Sequence, residues 1–145
     1  MKFSIVTTSD SAYKDALEVR KEVFVQEQNV PEELEIDERE AESLHFVLYD
    51  EDKPVGAARL RPIDDGAKVE RVCILKSYRN KNLGALMMRH MEQVAVKNQY
   101  PALLLYAQVQ AKDFYKKLGY DLISEETFLD ADIPHVAMKK VLGTS

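Results

Sequence analysis

Between Val69 and Glu92 the sequence VERVCILKSYRNKNLGALMMRHME changes its period. A β-rich apolar run passes through a basic turn holding Asn82 and Gly84, then into apolar residues spaced three and four apart. A strand leading directly into a helix accounts for both patterns, so the chain must form a sheet with a helix packed on it. Leu83, Leu86, Met87, Met91, Val94 and Ala95 mark the buried face of that helix, which runs to about Asn98. The turn has its own chemistry. The first helical turn carries amide N–H groups without intrahelical partners, and the helix dipole places about half a positive charge there. Residues that are small or tolerate left-handed backbone let an anion approach those amides. Lys76, Arg79, Lys81 and Arg89 cluster around the turn in a chain whose net charge is −5. By itself the turn fits an ordinary capped helix start or a cradle for a phosphate-like anion, the latter because local charge outweighs the net charge at this range.

The rest of the chain supplies the sheet. Lys2 to Thr8 reads as a strand, and Ser9, Asp10 and Ser11 offer N-cap chemistry for a helix carrying Ala12, Ala16, Val19, Val23 and Phe24 and ended by Asn29-Val30-Pro31. The acidic run Glu32 to Glu42 fits a short exposed helix or an ordered loop better than a core element. Strands follow at His45 to Tyr49, Pro54 to Arg61 and Ala67 to Leu75. The turn residues between them, among them Asp65-Gly66, make an antiparallel meander. Beyond the long helix, Tyr100 to Tyr106 is a strand and Ala111, Phe114, Tyr115 and Leu118 mark a helix closed by Gly119. Tyr120 to Phe128 and His135 to Val141 are the last strands. The expected architecture is one α/β domain, residues 1–145, with a mixed and mostly antiparallel central sheet of six to seven strands and helices on both faces.

Composition narrows the function. An acidic balance of 25 Asp and Glu against 20 Lys and Arg argues against nucleic acid as partner. No apolar run approaches the length of a membrane span, and the N-terminus lacks the pattern of a secretory signal, so a cytoplasmic protein without a membrane role is expected. The lone Cys73 reads as a small buried hydrophobe. His45 and His135 lack metal-ligand spacing and the acidic run lacks a calcium-loop glycine, so no metal is expected.

Two motifs carry a family resemblance. RNKNLG, from Arg79 to Gly84, resembles the coenzyme A pyrophosphate loop of the GNAT N-acetyltransferases, with Gly84 at the second glycine position and Asn82 in place of the first. AQVQAKDFYKKLGY, from Ala107 to Tyr120, is similar to the family's second signature, matched by Phe114, Tyr115, Gly119 and Tyr120. VRKEVFVQEQNVP and FLDADIPHVAM resemble the bacterial subgroup of ElaA- and YjcF-type acetyltransferases. The resemblance spans essentially the whole chain.

It implies an acetyl-CoA-dependent acyltransferase in which the fourth and fifth strands splay apart. The main chain of Val72, Cys73 and Ile74 would then pair with the pantetheine arm. The pyrophosphate would lie on the backbone of Arg79, Asn80, Lys81, Asn82, Leu83, Gly84 and Ala85, with Gln108 and Phe114 also at the cofactor. Tyr115 would be the general acid that protonates the departing sulfur, as expulsion of a thiolate requires. For the base, Glu70 is the first choice and His45 the second, and Glu70 has an equal structural use as an ion-pair partner of Arg59, Arg61 or Arg71. Arg59 and Arg61, two apart, share a strand face. One of them, with Arg20, is a candidate clamp for a substrate carboxylate, while Glu27 and Asp37 would attract its amine. The expected acceptor is the primary amine of a small molecule, an amino acid among the candidates, and the expected assembly a monomer or homodimer. The alternative is a non-catalytic acetyl-CoA-sensing module that regulates a partner.

Overall fold

The structure is a computed structural model that describes residues 1–123 and 125–142; Ser124, within one expected strand, and residues 143–145 lie outside the described residues. Eight strands form one sheet in the order β1-β2-β3-β4-β5-β8-β6, with β7 also on β8. They are β1 Lys2–Val6, β2 Leu44–Asp50, β3 Lys53–Ile63, β4 Gly66–Ile74, β5 Ala102–Gln108, β6 Asp121–Leu122, β7 Phe128–Asp130 and β8 Ile133–Val141. Every pairing is antiparallel except β4 with β5. The helices are α1 Tyr13–Arg20, α2 Glu32–Glu35, α3 Leu83–Lys97 and α4 Lys112–Lys117.

Strand alternation puts helices on both faces of the sheet. Val47, paired with Ala57, and His45, paired with Arg59, face α1, where Tyr49 donates to Asp15 at 2.6 Å and His45 meets the Tyr13 ring. Phe3, paired with Leu48, lies on the other face and stacks on His90 of α3 at 3.7 Å. Gly66 opens β4 where the parallel neighbour crosses closest; with φ of 151°, any Cβ there would run into the carbonyl oxygen of Ala102.

Several expectations change. Asp10 closes a turn by accepting from the Thr7 amide at 2.7 Å, and α1 begins three residues later at Tyr13 without a side-chain cap. The first helix does continue toward Asn29, but from Lys21 to Glu27 it widens into a π-helix. The expected strand Tyr120 to Phe128 is two short pieces on one edge of β8. The polar run Ser124-Glu125-Glu126-Thr127 lies between them in sequence, and β7 turns into β8 through Ala131 and Asp132, both left-handed.

The acidic run is the largest correction. Glu35, Asp37 and Glu40 turn inward while Glu32, Glu33, Glu38 and Glu42 stay exposed, because two buried arginines lie beneath the run. Arg20, fully buried, donates through Nε to Glu35 Oε1 and through Nη1 to Glu40 Oε1, both at 2.7 Å. Arg59, also fully buried, donates to Asp37 Oδ1 at 2.8 Å, to Glu70 Oε1 at 2.8 Å, and to Glu40 Oε2. Burial alone would raise the Glu40 carboxyl, but hydrogen bonds and charge from Arg20, with Tyr13 and Arg59, hold it at about 2. A carboxyl depressed in the folded state stabilises the protein fully above its unfolded value near 4.5 and loses that contribution as pH falls through 2. Urea titrations should therefore give level stability from about pH 7 to 5 and a fall of about 3 kcal/mol from this carboxyl toward pH 2. Asp37 and Glu70, also depressed, add to the fall. A profile that stays flat to pH 2 would contradict the network.

Candidate active site

The parallel β4–β5 pairing runs from Ala67 opposite Leu103 to Val69 opposite Leu105 and stops, although β4 continues to Ile74 and β5 to Gln108. The cause lies on the other edge of β4. Between Ala57 opposite Cys73 and Arg59 opposite Glu70, β4 spends three steps against two on β3, a bulge that turns the strand away from β5. Arg71 takes up the extra residue with a left-handed φ of 58°. The β5-facing backbone of Val72, Cys73 and Ile74 is thus left without a strand partner, and the cleft opens into a cavity of about 870 Å³.

At one end of the cleft lies the turn into α3. Asn80 and Asn82 are both left-handed, at φ of 65° and 61°, the conformation their short amide side chains tolerate. Asn82 is the N-cap but makes no side-chain cap bond, and the first intrahelical bond runs from the Leu86 amide to the Asn82 carbonyl at 3.1 Å. The amides of Leu83, Gly84 and Ala85 are therefore the ones an anion can reach. Gly84 allows a close approach: a Cβ there would sit 3.3 Å from Cζ of Phe114, so the first turn of α3 seats against the partly exposed α4 aromatic. This contact joins the two sequence motifs, because Tyr115 follows Phe114 and lines the cavity. Burial pushes the Tyr115 phenol up to about 12, with a smaller contribution from Cys73, and no hydrogen bond contributes. It remains a protonated donor throughout the neutral range.

Across the cavity, Glu70 lies with its Oε1 accepting from Arg59 Nη2 at 2.8 Å and Arg61 Nε at 3.0 Å, while Oε2 has Lys68 Nζ at 3.4 Å. Burial raises its pKa, but Arg61, Arg59 and Lys68 outweigh this and hold it below the usual carboxylate range. Glu70 is thus both the cavity's carboxylate and the ion-pair partner that the strand pattern allowed. Asp37 and Gln108 also line the cavity, the latter donating to Gln28 Oε1 at 3.1 Å.

Other residues singled out in the sequence lie elsewhere. Arg20 and Arg59 are inside the network with their donors on carboxylates of the chain itself, Arg61 is on Glu70, and none of the three lines the cavity. His45 is fully buried, bonds the Glu40 carbonyl through Nε2 at 2.9 Å and has its pKa lowered, chiefly by burial. Glu27 grips Arg79 through both oxygens at 2.6 and 2.7 Å, and Arg79 Nε holds the Ile74 carbonyl at 2.9 Å. The Arg79 side chain therefore ties the turn to the π-helix. Cys73 is buried and its thiol is pushed up to about 12, mainly by burial, which removes it as a nucleophile.

Sequence reasoning gave no site role to Lys68, Tyr106 and Phe128, nor to Arg71 and His135, which it named only as an ion-pair candidate and a non-ligating histidine; all five stand in the cavity wall. Lys68 was within reach of it, being two residues from Glu70 on the same strand face. Arg71 arrives through the bulge, Tyr106 from the middle of β5, and Phe128 and His135 on the two strands joined by the β7–β8 turn.

Residues 7–142 match the acetyltransferase (GNAT) domain family. The uncharacterized N-acetyltransferase YjcF of Bacillus subtilis is 50% identical over 137 residues, 94% of this chain and 98% of that one. Escherichia coli ElaA superimposes with a TM-score of 0.87 at 23% identity, over 97% of this chain and 99% of that one. An aminoglycoside 6'-N-acetyltransferase complexed with coenzyme A does so at 0.75 and 16%, over 100% and 99%. The chain belongs to the GNAT acetyltransferase family.

Proposed function

We propose that the protein moves the acetyl group of acetyl-CoA to the primary amine of a small molecule, amino acids included, by direct attack in a ternary complex. The observation that carries this reading is the end of β4–β5 pairing at Val69 and Leu105, which opens a cleft between the N-terminus of α3 and a cavity walled by Glu70 and Tyr115. The coenzyme A bound by the related aminoglycoside acetyltransferase supports the same use of the fold.

Acetyl-CoA supplies an activated acyl group as a thioester. The open backbone of Val72, Cys73 and Ile74 pairs with its pantetheine amides, and the amides of Leu83, Gly84 and Ala85 at the end of the Arg79–Ala85 turn hold its diphosphate. Gln108 and Phe114 flank the cofactor. Glu70, ionised at neutral pH, takes the proton of the incoming ammonium directly or through water, and Tyr115 donates to the sulfur as the bond to the carbonyl breaks. The depressed pKa makes Glu70 a modest base, so it works best on amines that give up their proton readily. A carboxylate clamp by Arg20, Arg59 and Arg61 is not carried forward, because their donors are already engaged.

Incubation with acetyl-CoA and a panel of amines and amino acids, following free thiol, tests this reading. Amine-dependent thiol release supports it; binding without release would make the protein an acetyl-CoA sensor instead. A second prediction concerns the seat of the turn. Gly84→Val forces the Phe114 ring away from α3 and should weaken coenzyme A binding by roughly tenfold in calorimetry. Unchanged affinity would mean that the Gly84–Phe114 contact does not shape the site.

A further inference from the structure

Among the residues that line the cavity there is a single lysine, Lys68, and it lies beside Glu70 on the same strand face. Its side chain is only 13% exposed, and its ammonium lies 3.6 Å over the centre of the Tyr106 ring and 3.4 Å from Glu70 Oε2. That oxygen is the one the arginines leave alone, since Arg59 and Arg61 both donate to Oε1. An incoming amine needs a carboxylate to take its proton, shelter from water and a place beside the cleft, and Lys68 has all three. We infer that Lys68 stands in the acceptor position and is itself acetylated when acetyl-CoA is bound and no other amine fills the cavity.

This rests on the acetyl-transfer reading above. Burial lowers the Lys68 pKa, against the opposing Glu70 charge, which increases the neutral fraction able to attack. In the step, the ammonium first gives one proton to Glu70. Nζ then forms a bond to the thioester carbonyl carbon, the carbon–sulfur bond breaks with its electron pair on sulfur, and Tyr115 protonates that sulfur. The second proton leaves the new amide nitrogen and restores Tyr115 through solvent, so the net products are acetyl-Lys68, coenzyme A and one proton. The product amide is neutral. It ends the Lys68 contact with Glu70, leaves Arg59 and Arg61 as the carboxylate's cationic partners, and fills space that an acceptor would use. The modified chain should therefore turn over external amines more slowly.

Peptide mass spectrometry of the unmutated protein after incubation with acetyl-CoA alone tests this. The expected result is one acetyl group, on Lys68, formed at a rate independent of protein concentration and at least about tenfold faster than at any other lysine, as an intramolecular reaction requires. An accepted amine should protect Lys68, and Tyr115→Phe should slow the modification. Lys68→Arg, which keeps the charge, should abolish the single acetylation. Thiol release with external amines but no acetyl on Lys68, or acetylation spread evenly over surface lysines, would overturn this inference and leave the acetyl-transfer reading standing. Absence of any acetyl-CoA binding would overturn both.

Discussion

Tyr115→Phe should lower turnover roughly a hundredfold or more while leaving acetyl-CoA affinity nearly unchanged. The substitution removes one hydroxyl and keeps the ring, so the edge contacts of this residue with Phe114 and Tyr120, at centroid distances of 4.9 and 6.0 Å, survive. What disappears is the proton source for sulfur. Because the phenol is held near 12 by burial, it does not titrate in the working range. The loss should accordingly be of similar size from about pH 6 to 9. Steady-state kinetics together with calorimetry check both halves of the prediction. Equal turnover in the variant would remove Tyr115 from the role, and a parallel loss of affinity would make it a binding residue.

The second large effect falls on stability. Arg59→Met leaves Glu40, Asp37 and Glu70 facing one another without the guanidinium that holds all three. Removing one partner of a buried ion pair costs about 3–5 kcal/mol when the remaining charge is left unpaired. Here Glu40 keeps Arg20, Glu70 keeps Arg61 and Lys68, and Asp37 keeps Arg71, so a loss of about 3 kcal/mol is expected. That is a large share of the about 5–15 kcal/mol that typically separates folded from unfolded chains. Urea denaturation should show the loss, and Arg59→Met combined with Asp37→Asn should recover part of it by removing the charge left with only the 3.5 Å ion pair to Arg71. An Arg59→Met protein as stable as the parent would mean that the arginine is a passenger in the network.

The meander was legible because its signals are local. Alternating strands and the Asp65-Gly66 turn specify β2 to β4 with little help from distant residues. The turn into α3 was legible for the same reason: Asn82 and Gly84 sit at the junction of two periods, and the left-handed Asn82 is what its amide side chain permits. Three features had no local signal. The bulge that opens the cleft puts an arginine, Arg71, in left-handed backbone, where a glycine would have announced it. The π-helix from Lys21 to Glu27 follows a run whose spacing is ordinary for an α-helix. The ion network joins Arg20 to Glu35 and Arg59 to Asp37 and Glu40, residues 15 to 22 apart in sequence. Its acids therefore looked solvated until the fold placed arginines under them, and its arginines looked free to bind a substrate.

Isothermal calorimetry with acetyl-CoA tests the central claim most directly. The account predicts one site per chain, with affinity that falls as salt screens the diphosphate and falls further when Gly84→Val displaces Phe114. Titration to saturating ligand with no heat and no protection of the 79–85 backbone amides in hydrogen exchange would contradict it.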